Sequence, residues 1–311
     1  MGIVFQNGRF GIDRGQTVEK GVREAAVLQT LRSFLDAKEP DLVYLLVNTW
    51  RTQGKAITYK ELREAILAGD INQDLWEAWQ EDYARFVVKY LQPAWIDAIG
   101  TAAKEIEDQY DWYFNPMADG VVDWVKTRAA DFVTNSTQAQ RDGLRAVIQQ
   151  AVVLNRRGVD DLARAIRPMI GLTKQQATAN LNYYQTLIDA GTSKKKALDL
   201  ATRDAARRHR SRAYTIARTE LATAYNTGAH EGTKQAQAAG LLGECEKVWI
   251  VADDERTCSI CDSMNGKRVA MDEEFEGASG SWSTRLHPPA HPSCRCAVMY
   301  KEIRRAPEKN S

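Results

Sequence analysis

Four of the five cysteines of this chain fall in two short clusters, Cys258-Ser-Ile-Cys261 and, after a gap, His291-Pro-Ser-Cys294-Arg-Cys296, the second led by a histidine. Thiolate and imidazole donors in that arrangement suit tetrahedral Zn²⁺. A C-x-x-C turn presents two sulfurs to one point, and a later cluster completes the cage. The spacing therefore predicts a structural Zn²⁺ site. Five donors compete for four places. Cys258 and Cys261 form the fixed half, while His291, Cys294 and Cys296 contend for the remainder. His291 precedes Cys294 by three residues, which suits a turn, whereas Cys294 and Cys296 share a side if that piece is extended. The favoured set is Cys258, Cys261, His291 and Cys294, with Cys296 as the substitute. His287 is near enough to be a further candidate, although the two prolines after it leave its direction open. Cys245 stands apart and reads as a small core residue. The competing reading is a group of buried cysteines with no metal.

The elements that must position these donors change character near Gly240. Before it the apolar pattern is helical. Val27, Leu28, Leu31, Phe34 and Leu35 recur at helical spacing, and Pro40 predicts a break before Leu42 to Val47. Thr58 and Glu61 stand in capping-box relation ahead of a helix that Gly69 stops. Leu75, Trp79, Tyr83, Phe86 and Tyr90 line one face of a longer run to about Tyr110, which Pro93 should bend or break. Further helices are expected over 117–133, 137–154, 159–170 and 174–190. Ser193 caps another through Ala197, Leu198, Ala201 and Ala205. After Gly243 the pattern becomes extended. Val248 to Val251 reads as a strand, Asn265-Gly266 as a tight turn, Lys267 to Met271 as the returning strand, 272–285 as loop, and Cys296 to Tyr300 as a last strand. The first ten residues, rich in Gly and Asn, read as a flexible arm.

The expected fold is α+β and mainly α, with a long helical body followed by a small β-rich module stabilised by zinc. The expected divisions are 1–113, an N-terminal helical region; 114–243, a central helical region with a basic helix; 244–303, the Cys/His module; and 304–311, a basic tail.

Composition bounds the partners. With 311 residues, 44% hydrophobic and 27% charged side chains and a net charge of +1, the chain can bury a substantial core. No apolar run approaches the ~20 residues that cross a bilayer, and no signal-peptide pattern opens the sequence. A reducing cytoplasm is the expected compartment, and there clustered cysteines favour metal over disulfide. One stretch is locally basic. Lys194, Lys195, Lys196, Arg203, Arg207, Arg208, Arg210 and Arg212 are opposed only by Asp199 and Asp204. Such a face could lie nonspecifically along phosphates, although a solvated helix face is the commoner meaning of a charge run. Arg218 and Glu220, two apart on the same helix, diverge by about 200° and cannot act as one catalytic pair. They are expected to anchor the helix to the C-terminal module, with Asp254 or Arg256 as partners. Asn226 and His230 share a face, and the lone histidine there reads as a surface polar group.

The string Thr215-Ile216-Ala217-Arg218-Thr219-Glu220, then Trp249, Asp254-Glu255-Arg256-Thr257-Cys258-x-x-Cys261, Asn265-Gly266 and Pro288-Pro289-Ala290-His291-Pro292-Ser293-Cys294-Arg295-Cys296, resembles the phage Mu F-like head morphogenesis proteins. A looser helical likeness reaches back to about Phe114. The resemblance implies a minor capsid protein of a tailed phage, present in few copies. It would be associated with portal, scaffold or major capsid protein, made in the host cytoplasm and carried in the virion interior, in some relatives leaving with the DNA. It also implies that Arg218, Glu220, Trp249, Asp254 and Arg256 are structural motif residues and that the protein is not an enzyme. The alternative is a metal-dependent nuclease or other hydrolase built on the Cys/His module, which would need an open metal position.

Overall fold

The computed structural model of the chain describes residues 2–3, 12–13, 20–153, 158–252, 255, 257–277 and 284–303. Two short strands, β1 (Gly2–Ile3) and β2 (Ile12–Asp13), precede the helices α1 (Lys20–Ala56), α2 (Tyr59–Ala68), α3 (Gln73–Phe86), α4 (Gln92–Tyr110), α5 (Asp119–Val153), α6 (Val159–Ile166), α7 (Lys174–Asp189) and α8 (Lys194–Ala238). The strand β3 (Cys245–Ile250), the single turn α9 (Ser259–Asp262), β4 (Arg268–Ala270), β5 (Phe275–Glu276), β6 (Thr284–Arg285) and β7 (Ala297–Glu302) follow. The chain is mainly helical with a small antiparallel sheet toward its end, as the sequence predicts.

Local chemistry sets most helix ends. At α2 the Glu61 N–H donates to Thr58 Oγ1 (3.2 Å) and the Thr58 N–H to Glu61 Oε2 (2.7 Å), while Gly69 takes φ 78° at the other end. The same reciprocal box, Thr173 with Gln176, opens α7.

Three expected breaks turn out differently. Pro40 lies inside α1 without ending it. An interior proline costs about 3 kcal/mol. Leu31, Leu35, Leu42, Val43 and Leu46 are all buried around it, and each such side chain contributes about 1.5–3 kcal/mol, so burial wins. The gap expected between 133 and 137 is absent because Thr137 spends its hydroxyl on the Val133 carbonyl (2.7 Å) instead of capping a new helix. At Pro93 the chain stays helical, and the irregularity lies just upstream. A π-helical turn over Val87–Leu91 comes first, and Pro93 then falls in the first turn of α4, where its missing N–H costs least.

The chain divides into two compact units, one of residues 1–40, 93–125 and 215–311, the other of 41–92 and 126–214. In the second unit, Ile57, Leu62, Ile66, Trp79, Val147, Ile148, Leu162, Ile166 and Leu181 form the buried core. A polar thread crosses this unit: Trp50 Nε1 donates to the Tyr83 hydroxyl (2.8 Å), which donates to Gln140 Oε1 (2.7 Å). In the first unit, α8 packs on α4 so closely at Gly228 that a Cβ there would collide with the Ile99 backbone. Trp95 meets Trp124 edge-on at 5.7 Å between ring centroids.

The five-stranded sheet belongs to this first unit, with order β2-β1-β7-β3-β4 and every neighbouring pair antiparallel. β7 pairs along all of β3, from Cys245 opposite Glu302 to Ile250 opposite Ala297. Gly2 pairs with Lys301, so the described parts of the expected flexible arm are strands of this sheet. β5 and β6 form a separate two-stranded ribbon within the expected 272–285 loop.

Candidate metal centre

Two sheet connections bring the donors together. Between β3 and β4 the chain makes the single turn α9. Cys258 sits at its N-terminus in extended conformation and accepts the Cys261 N–H on its own sulfur (3.4 Å), so both sulfurs face one point. This turn is fastened to the sheet by Gly266 N–H to Trp249 O (2.9 Å) and Trp249 N–H to Lys267 O (3.0 Å). Gly266, at φ 73°, occupies the left-handed position that the Asn265-Gly266 pair predicts. Ahead of β7, the Cys294 N–H closes onto His291 O (3.1 Å), making the turn that the three-residue spacing implies.

The five donors meet in two overlapping groups, Cys258 with Cys261 and His291, and Cys261 with Cys294 and Cys296. His291 Nε2 lies 3.2 Å from Cys258 Sγ and 3.1 Å from Cys261 Sγ, and Cys294 Sγ lies 3.7 Å from Cys261 Sγ. Sulfurs about 2.3 Å from one tetrahedral metal stand about 3.7 Å apart, so the thiol spacing already has the length of a coordination edge. A cavity of about 30 Å³ opens among these side chains, enough for one ion. His291 Nδ1 faces the Pro292 carbonyl oxygen at 2.9 Å. A carbonyl only accepts, so Nδ1 carries the proton and Nε2 turns its lone pair toward the sulfurs, which is the tautomer a metal requires.

Charge follows the same geometry. Hydrogen bonds from Cys261, and then from Cys296, hold the Cys294 thiol far below its usual range, and Cys261, as donor to Cys294, is pushed far above it. Burial opposes ionisation of Cys258, but hydrogen bonds from Cys261 outweigh it and lower its pKa. These thiols thus compete for negative charge, the condition under which a cation relieves them all at once.

The other expected residues are placed as follows. Trp249 is fully buried on β3 and packs edge-on against Phe275. Arg218 pairs with Glu39 of α1, and Glu220 is buried. Asp254 and Arg256, expected as their partners, lie outside the described residues. Asn226 and His230 are 2% exposed each, not surface groups. They face inward because their α8 face is the one buried in the first unit. His230 lies 6.2 Å from both the His287 and Tyr300 rings, and burial lowers its pKa to about 3 and that of His287 to about 4. His287 points away from the sulfur cluster, toward Thr227 Oγ1 (3.2 Å) and the Pro288 carbonyl (2.8 Å). Cys245 is buried, as expected of a core residue.

The basic stretch is divided. Lys194 pairs with Asp161 (2.5 Å), and Arg207 (2.7 Å) and Arg208 (2.5 Å) both pair with Asp204. Arg212 is buried, stacked 4.9 Å from the Trp50 ring and donating to the Gly171 carbonyl, so it is closed to any phosphate. Lys195, Lys196, Arg203 and Arg210 are exposed.

Sequence reasoning missed Lys247, which is fully buried and donates to the carbonyls of Glu273 (2.7 Å) and Leu286 (2.9 Å), tying the β5–β6 ribbon to β3. The signal was its alternation with Cys245 and Trp249, two residues away on either side.

A helical chain carrying a small antiparallel sheet with a Cys/His cluster at its loops is the class these features define. Residues 181–299, spanning the second half of α7, all of α8 and the cluster, match the model of the Phage Mu protein F like protein family, so this part of the chain is similar to that family. No curated protein and no solved structure matches the chain.

Proposed function

We propose that the chain is a minor capsid, head morphogenesis protein of a tailed phage, acting as a structural and interaction component, and that one Zn²⁺ bound by Cys258, Cys261, His291 and Cys294 staples its sheet. The observation that carries this reading is that the Mu F-like stretch and the donor cluster coincide, all five donors lying inside residues 181–299. When bound, the metal supplies folding free energy on the order of 10 kcal/mol to a site absent from the unfolded chain. Cys296 is the surplus thiol, beside the cage. Four protein donors leave no position for water, which favours a staple over the hydrolase alternative. Partners of such a component are portal, scaffold or major capsid protein, with nonspecific DNA contact through the exposed cations of α8; its place is the virion interior. Among the described residues no helix is long and apolar enough to cross a membrane.

Two measurements test this. Purified protein should hold about one Zn²⁺, and Cys258→Ser should lose the metal together with the order of the sheet; full stability without metal would refute the staple. Mass spectrometry of intact and DNA-emptied virions should find the protein in few copies. Its absence from virions would overturn the capsid role.

A further inference from the structure

Thr215, Thr219, Thr223 and Thr227 recur every four residues along α8 and form one stripe on its surface. Two of them touch the segment that carries His291. Thr219 Oγ1 donates its only proton to the Thr215 carbonyl (2.7 Å), so its oxygen is left to accept, and it receives the Ser293 N–H at 3.1 Å. Ser293 holds φ 60°, a left-handed backbone uncommon for a residue with a side chain, and it lies directly between His291 and Cys294. Two turns along α8, Thr227 meets His287 Nε2 at 3.2 Å. His287 Nδ1 must donate to the Pro288 carbonyl, so Nε2 is an acceptor, and the single Thr227 proton is shared between it and the Thr223 carbonyl (2.9 Å). The segment 287–293 is therefore gripped at both ends by hydroxyls of one helix. Thr223, midway, donates back to the Thr219 carbonyl (2.6 Å).

We propose that Thr219 and Thr227 are positioning residues for the metal centre, their hydroxyls fixing the loop that delivers His291 and Cys294 to the pair Cys258 and Cys261. This rests on the metal reading above. The sulfurs of Cys258 and Cys261 are already set by α9 and β3, so the second half of the cage is the half that needs an external hold. Groups outside a coordination sphere that orient its ligands commonly alter metal affinity by roughly 10–100-fold.

The test is competition for Zn²⁺ and Co²⁺ against a chromophoric chelator, using full-length protein, with the Co²⁺ absorption spectrum reporting geometry and circular dichroism reporting helix content. Thr219→Val and Thr227→Val should each weaken metal binding roughly 10–100-fold and reduce the tetrahedral Co²⁺ bands at unchanged helix content. Thr219→Ser, which keeps the hydroxyl, should bind within a few-fold of wild type, on the order expected where the ligand loop stays held. Thr223→Val, which removes the same kind of back-bond from the helix but leaves the loop held at both ends, should bind as wild type does. If wild type takes up neither metal, the metal reading falls and this inference with it. If wild type binds and the Thr219 and Thr227 variants bind equally well, or Thr223→Val weakens binding as much as they do, only the positioning role is overturned.

Discussion

Arg218 grips Glu39 with two prongs, Nε to Oε1 at 2.7 Å and Nη2 to Oε2 at 3.0 Å, although the residues are 179 apart in sequence. The Glu39 side chain is 5% exposed and that of Arg218 32%, so the pair is sheltered mainly on its acidic side. Bidentate geometry of this kind is stronger and more selective than a single hydrogen bond.

Removing the acid should show its weight. Glu39→Gln is expected to destabilise by about 1–3 kcal/mol, the range for removing a hydrogen bond to a charged group in a partly buried site. A double-mutant cycle with Arg218→Met, read by urea denaturation, should give a coupling of roughly 0.5–3 kcal/mol. No measurable coupling would mean the pair holds α1 and α8 no better than water does.

Acid should weaken the first unit through its buried imidazoles. His230 and His287 have folded pKa values lowered to about 3 and about 4 by burial, against 6.5 when free. The unfolded chain thus takes up protons first. Stability is complete above pH 6.5 and declines as pH falls toward 4, by on the order of 2–3 kcal/mol per histidine. His209 in the second unit, also lowered to about 4 by burial, adds a similar dependence there. His230→Leu should therefore lose less stability than wild type between pH 7 and pH 4.5; identical losses would show that this imidazole is not held neutral.

Two adjacent glycine contexts should respond with opposite signs. At Gly228 of α8 an added methyl meets the rigid backbone of Ile99, so Gly228→Ala should cost about 1–3 kcal/mol. Gly100, next to Ile99 on α4, has no atom within 4 Å of the same added methyl, so Gly100→Ala should gain about 0.5–1 kcal/mol from helix propensity. Melting curves of both variants check the pair, and a neutral Gly228→Ala would contradict the close approach of the helices.

If α8 meets DNA, the exposed cations must do it. Reversing Lys195, Arg203 or Arg210 to Glu should weaken binding to any duplex and lower the slope of log affinity against log salt by about 0.9 for each phosphate no longer neutralised. Arg212→Ala should leave that slope alone, since its guanidinium is enclosed over Trp50. An unchanged slope for the exposed set would assign these charges to solvent.

What was legible in the sequence was what short stretches decide. The Thr58–Glu61 box, Gly69, the C-x-x-C turn, the Asn265-Gly266 corner and the strands on either side of it are settled within a few residues, and they appear where the residue types put them. The approach of the second donor cluster to the first was legible from ligand chemistry alone. Long-range packing was not. Pro40 was overruled by leucines buried around it, and His230 looked like a surface group because nothing local says which face of a polar helix a sheet will cover. Glu39 could not be matched to Arg218 from spacing, and Lys247 was hidden by the habit of placing lysine outside.

The strand in the middle of the sheet is the last of its strands to leave the ribosome. β1 with β2, and β3 with β4, can each pair as soon as they are made, but both halves keep a bare edge until 297–302 arrive between them. Translation at about 5–20 residues per second makes that a wait of many seconds for the first pair. Cys294 and Cys296 emerge immediately ahead of the closing strand, so the donor set and the sheet are completed in one event.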